Sequence, residues 1–218
     1  NSKNVSATQT TTFSGIALTG TEAANYTITQ PTGITAAITP LALTVTGTVV
    51  ADKVYNGTTA ATISNAGTLV GVISSDEVSI LNTGTPAISG TALFNSANAN
   101  LAQATTITGM SLTGAAAGNY TLVQPTGITA AIAQKSLTVT GTTVANKVYD
   151  TSTTGTISAV GNLVGVIAGD VVTINSVSAL ASFATPDVAY VGNAISSQAV
   201  SISGLALSGA ASGNYSVT

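Results

Sequence analysis

Few side chains in this sequence are equipped for chemistry. Four lysines (Lys3, Lys53, Lys135, Lys147) and seven acids carry every charge, giving a net charge of −3. Lys53 and Lys147 recur at a fixed spacing, so the amine of a Lys–Asn isopeptide crosslink is present twice. That reaction also needs a buried carboxylic acid with a raised pKa beside the pair. Glu22 has no acidic counterpart at Ala116, and the acid that recurs strictly is Asp76/Asp170, so no crosslink is expected. Asp76-Glu77 is the one adjacent acidic pair, and its match in the next copy is Gly169-Asp170. No D-x-[DN]-x-[DN]-G loop accompanies it, so these acids read as turn residues before strands at Val78 and Val172 rather than calcium ligands. Asn4, Asn25, Asn56, Asn119 and Asn214 each begin an Asn-x-Ser/Thr acceptor pattern for glycosylation. Three of them, Asn25, Asn119 and Asn214, also open a repeated Asn-Tyr element with a turn role.

The tyrosines keep fixed company. Tyr55 and Tyr149 follow Lys-Val, and Tyr26, Tyr120 and Tyr215 follow Asn. A buried tyrosine supplies a large apolar ring whose hydroxyl must find a partner. These rings therefore read as core anchors with the hydroxyl reaching the backbone, not as a ligand-stacking platform.

Composition removes whole classes of function. The chain has no His and no Cys, which takes away the usual transition-metal ligands, the Ser-His-Asp triad and the Cys nucleophile. It has no Arg, and its lysines are scattered, so clustered phosphate neutralisation and nucleic acid binding are not expected. No cofactor or metal site, and no enzymatic activity, is expected. No apolar run reaches the length of a membrane span. Charged residues are only 5% of the chain, so the surface must be built from Thr, Ser, Asn, Gly and Ala. The hydrophobic fraction of 44% still suits a packed domain rather than a disordered one.

The strongest signal is self-similarity. QPTGITAAI begins at Gln30 and Gln124, LTVTGT at Leu43 and Leu137, Lys-Val-Tyr at Lys53 and Lys147, and LVGVI at Leu69 and Leu163, always 94 residues apart. Tyr120 and Tyr215 are 95 apart, which implies one inserted residue after Ile174. The phase divides the chain into the closing part of a repeat (1–40), a complete repeat (41–134) and a repeat without its last segment (135–218). The expectation is a piece of a longer array in which a neighbouring unit can supply a strand to an open edge. A period this long suits a small domain better than one coil of a β-solenoid.

Local patterning is β throughout. In LALTVTGTVV (41–50) Leu and Val alternate with Thr, giving one apolar and one hydroxylated face. Similar runs predict strands at 16–19, 26–30, 34–38, 69–73, 78–81 and 107–113, bounded by Gly, Asn or Pro. Asn56-Gly57 carries the signal of a two-residue hairpin. The expected fold class is all-β, as tandem small β-sandwich (Ig-like) or β-grasp-like modules. Thr-x-Thr motifs also occur in ice-binding faces, but there the ranks repeat every coil rather than every 94 residues.

These residues resemble a known family. Lys147-Val148-Tyr149-Asp150-Thr151 is similar to the K-V-Y-D-G-T signature of bacterial YDG repeats, and Gly118-Asn119-Tyr120 through Ile132 resembles the closing part of those repeats, shared with MBG modules. The first copy reads Tyr55-Asn56-Gly57 and the second has Thr151 in place of Gly, so neither carries a full Tyr-Asp-Gly. The resemblance implies large exported proteins similar to filamentous haemagglutinin, located outside the cell or on the bacterial surface. It implies a structural stalk or spacer within an adhesin. The alternative is a self-assembling subunit of a fibre, sheath or biofilm matrix with strand exchange between neighbours. The expected partners are neighbouring repeats or identical chains, with any host or matrix surface engaged by regions outside this sequence.

Overall fold

The structure is a computed structural model that describes residues 2–82 and 88–218. About 43% of the chain is strand and 4% helix, the latter as three-residue 3₁₀ turns at Ala23–Asn25, Ala117–Asn119 and Ser212–Asn214. The chain is therefore a set of all-β tandem modules. Its two compact units are interleaved along the sequence: residues 1–50, 62–92 and 106–128 form one, and 51–61, 93–105 and 129–218 the other.

Both units are built around the same central strand. In the first, Leu41–Thr46 pairs antiparallel with Thr68–Val70 (Val45↔Leu69) and parallel with Tyr120–Leu122 (Tyr120↔Leu41). In the second, Lys135–Thr140 pairs in the same two ways with Asn162–Val164 and Tyr215–Val217. The alternation of LTVT explains why. Leu43 and Leu137 point inward and are completely buried, while the intervening threonines stay outside. Where other proteins place charge, cross-strand hydroxyl pairs cover the outer faces: Thr143 with Ser158 and Thr173 with Ser208, each at 2.8 Å.

The second unit also holds a five-stranded sheet. Its order is Lys53–Val54, Thr129–Ala133, Asn100–Thr108, Thr91–Phe94, Ala60–Ala61. Thr129–Ala133 is antiparallel to one neighbour (Gln103↔Ala130) and parallel to the other (Ile132↔Lys53). Three further strands, Thr154–Gly155, Leu180–Phe183 and Val200–Ser203, form a separate sheet.

Several sequence expectations change. Asn56-Gly57 is not a hairpin turn, because the strands on either side of it lie at opposite edges of the five-stranded sheet. The predicted strands at 16–19 and 26–30 are not strands, although their matches Leu112–Thr113 and Tyr120–Leu122 are. The patterns are nearly the same. The copies differ in that Leu112–Thr113 and Tyr120–Leu122 each have a strand beside them, Ser79–Ile80 and Leu41–Thr46. Nor does the period slip by one inserted residue. Ile80 and Ile174 are 94 apart, but Phe94 and Phe183, which each take the backbone carbonyl of Thr59 and Thr153, are 89 apart. The second repeat is thus five residues shorter before its phenylalanine and six longer after it. The lengthened stretch forms a small hairpin, Tyr190–Val191 against Ala194–Ile195.

Candidate functional site

The recurring polar residues converge on one arrangement, seen once in each compact unit. In the second, Tyr215 donates to Asp170 Oδ2 at 2.5 Å, and the Ile167 backbone N–H donates to the Tyr215 hydroxyl at 3.0 Å. Tyr55, 115 residues before Asp170, donates to the same carboxylate oxygen at 2.9 Å. The rings of Tyr55 and Tyr215 meet edge to face, 5.3 Å between centroids and 79° between planes. Both are buried, at 5% and 3% exposure. Beside them Asn214 is also buried; its side-chain carbonyl accepts the Ala99 N–H at 2.8 Å and its amide reaches Asn98 Oδ1. Gln134 adds a bond to the Gly213 carbonyl.

The first unit repeats the pattern with different residues. Tyr120 donates to Asp76 Oδ2 at 2.7 Å and accepts the Ile73 N–H at 3.2 Å. Asn119 accepts the Val5 N–H at 2.8 Å and donates to Asn4. Lys3 lies 3.8 Å from Asp76. In both units, then, an Asn-Tyr pair late in one 94-residue period holds backbone belonging to the period before it.

The chemistry of this joint is that of a polar group taken out of water with its partners supplied. A buried hydroxyl or carboxylate without a partner costs about 1–3 kcal/mol or more, and here each group is satisfied. Burial, reinforced by the neighbouring carboxylates, raises the ionisation of Tyr55, Tyr120 and Tyr215 above the ordinary phenol value. Tyr26 and Tyr149 differ, at 69% and 56% exposure, so they are not the core anchors the sequence suggests. Among the described residues, neither ring has a carboxylate hydrogen-bonded to its hydroxyl.

The Lys-Val-Tyr stretch does separate work. The Lys53 ammonium donates to Asn56 Oδ1 at 3.0 Å and to the carbonyls of Thr58 and Ala60, and stands 5.3 Å from the Phe94 ring centroid. Lys147 does the same with Asp150 at 2.7 Å, the carbonyls of Ser152 and Thr154, and the Phe183 ring at 5.8 Å. In each copy the Asn or Asp side chain also accepts the backbone N–H two residues on, Thr58 or Ser152, closing an Asx turn. The Lys147 ammonium, with the Ser152 N–H and hydroxyl, holds the Asp150 carboxyl down at about 2. The next residue sits at positive φ: +76° at Gly57 and +65° at Thr151. A lysine clamped over a tight turn, with its aliphatic stem on an aromatic ring, is a folding device.

Of the acceptor asparagines, Asn4, Asn25 and Asn56 are exposed, Asn119 is half-buried and Asn214 is buried. The amides of Asn119 and Asn214 are spent within the joints. Among the described residues no three metal-ligating side chains gather, and no helix is long and apolar enough to cross a membrane.

The turn held by Lys53 and Lys147 is the part of the chain that known families share. The family model described as YDG domain matches residues 39–128 and again residues 133–218. The chain belongs to the YDG domain family. No curated protein and no solved structure matches it. In both YDG copies the signature maps onto the lysine-clamped turn, and the Asn-Tyr element near the end of each copy maps onto the joint.

Two outcomes follow from this geometry. Thr151 is a β-branched residue in a left-handed conformation that Gly57 occupies freely, and such a placement costs about 1–2 kcal/mol. Thr151→Gly is expected to stabilise the chain by about 1 kcal/mol in urea unfolding, the looser unfolded chain offsetting part of the relief. The second concerns pH. The folded-state values of Tyr55, Tyr120 and Tyr215 lie above the unfolded one, so the stability they confer is complete below about pH 10 and falls as pH rises beyond it. The urea midpoint should drop between about pH 9 and about pH 11.5, and the drop should shrink in Tyr55→Phe/Tyr215→Phe but not in Tyr149→Phe.

Proposed function

We propose that this chain is a structural, non-catalytic repeat region of an exported bacterial surface adhesin, acting as a stalk that carries a binding region away from the cell. The observation that carries the reading is the recurring joint. Asn119-Tyr120 with Asp76, and Asn214-Tyr215 with Asp170, each tie one period to the period before it. Residues that recur in a catalytic or ligand-binding repeat serve the substrate. Here the recurring polar residues are consumed in holding neighbours together or in closing the lysine-clamped turn. Such coupling suits a chain that must transmit force without a ligand of its own. The YDG membership is in keeping with this, since the resemblance of these repeats is to exported proteins that project binding regions.

A second reading, a self-assembling fibre, sheath or biofilm-matrix subunit, is favoured by two features. Charge is only 5% of the chain, and charged side chains are what usually protects sheet edges from pairing. In addition, a groove in the second repeat stands uncovered.

The stalk reading is tested in the full-length protein on its own cells. Antibodies raised against residues 1–218 should label intact cells, and deleting residues 41–134, one full period, should shorten the reach of the molecule while binding at its far end persists. Loss of that binding with surface display intact would contradict a spacer role, as would failure of the antibodies to label.

A further inference from the structure

A groove of 670 Å³ opens in the second repeat, lined by Val144, Asn146, Tyr149, Phe183, Val200 and Ile202 among others. The first repeat shows how the corresponding positions look when covered. Tyr55, Phe94 and Thr105, the matches of Tyr149, Phe183 and Val200, are all buried. The strand Thr129–Ala133 lies in that sheet, with Ala130 at 6% and Ile132 at 1% exposure. Its backbone is held on both sides. It pairs antiparallel with Asn100–Thr108 and parallel with Lys53–Val54. The Ala131 N–H donates to Asp52 Oδ1 at 2.6 Å, and the Tyr55 N–H donates to the Ala133 carbonyl at 2.8 Å.

In the second repeat the receiving half of this arrangement is present and unused. Asn146, which keeps a side-chain carbonyl, stands where Asp52 stands, followed by Lys147, Val148 and Tyr149. Lys147–Val148 is not a strand, whereas Lys53–Val54 is. Val148, Tyr149 and Ile195 are 88%, 56% and 78% exposed. Among the described residues, no strand pairs with this edge.

The matching insert also exists in the chain. Thr129-Ala130-Ala131-Ile132 recurs letter for letter as Thr35-Ala36-Ala37-Ile38. That segment pairs with Ser6–Thr10 alone, in a two-stranded sheet, and its Ala36 is exposed. Isolated two-stranded pairs are marginal in water.

We propose that a second copy of this chain inserts its Thr35–Ile38 strand into the 144–202 groove, so that copies join head to tail by strand exchange. The inference rests on the reading of the chain as a structural repeat that joins to its like, and it names the two surfaces that meet. The entering strand runs parallel to Lys147–Val148, with Ile38 beside Lys147 as Ile132 lies beside Lys53. The Ala37 N–H meets Asn146 Oδ1, and the Tyr149 N–H meets the Thr39 carbonyl. On its other side the strand leaves Ser6–Thr10 and takes the 195–199 edge, which follows from the match of Ile202 to Ile107. The antiparallel pairing is thus exchanged like for like. The parallel pairing and the burial of Ala36 and Ile38 are the net gain.

The test is sedimentation velocity on the 218-residue chain over a wide concentration range, with two variants that each disable one surface. Wild type should form a concentration-dependent series of head-to-tail oligomers. Ile38→Asp spoils the strand and Val200→Asp the groove. Each alone should weaken association at least tenfold, since either buries an unpaired carboxylate, and an equal mixture should form one-to-one dimers through the surface each retains. A synthetic peptide of residues 30–39 should bind wild type and block its association, which keeps the inference testable if Val200→Asp does not fold. Wild type that stays monomeric throughout, or an Ile38→Asp variant that associates as wild type does, overturns it. Monomeric wild type together with a deletion that still shortens the reach on cells sinks this inference alone. Oligomers that need both surfaces, with unlabelled cells, sink the stalk reading alone.

Discussion

The structure depends on one shared carboxylate per joint. Asp170 accepts hydrogen bonds from two tyrosine hydroxyls 160 residues apart in sequence, Tyr55 and Tyr215, on the same oxygen. A protein with 5% charged residues and 4% aromatics has little else with which to fix the meeting of distant segments. Leu43 and Leu137 supply the apolar floor of each central strand, but an apolar contact is non-directional and tolerates sliding. The tyrosine–aspartate contact does not. Its geometry is set by the lone pairs of the acid, by the Ile167 N–H that fixes the Tyr215 hydroxyl, and by the edge-to-face meeting of the two rings.

From this constraint the interleaving of the compact units follows. Tyr55 belongs by sequence to one YDG copy, yet its partners Asp170 and Tyr215 belong to the next. Asn214 reaches back to Ala99 across the same division. A period of sequence and a unit of packing are therefore different things in this chain. The lysine-clamped turn plays the complementary part. By gathering Asn56, Thr58 and Ala60 around one ammonium, it allows a polar turn to leave the sheet at one edge and re-enter it at the other without hairpin pairing.

Much of this was legible in the residues. The 94-residue period, the all-β character and the inward Leu of LTVT rest on alternation and repetition, which survive in any context. What depends on a partner was not legible. Asn-Gly at 56–57 signals a hairpin by its tolerance of positive φ, but whether the flanking strands meet is decided by what else lies beside them. Segments 26–30 and 120–122 share Tyr-Thr, yet only the second has a neighbour and becomes a strand. Asp76 and Asp170 were visible as the one strictly recurring acid, and that recurrence was the available sign of the joint. Reading them as turn residues missed it, because their tyrosine partners lie more than forty residues away and nothing local marks the pairing. The net spacing of 95 likewise concealed a shortening and a lengthening that nearly cancel.

A joint that works by a specific contact must show energetic coupling between its two sides. The direct measurement is a double-mutant cycle of Tyr55→Phe and Asp170→Asn in urea unfolding of the whole chain. The account predicts that the two changes together cost less than the sum of their separate costs, by about 1–2 kcal/mol, because either one alone already breaks the bond across the copies. Additivity within about 0.5 kcal/mol would mean that the hydroxyl and the carboxylate act independently. The contact on which the rest of the structure is said to depend would then hold nothing together.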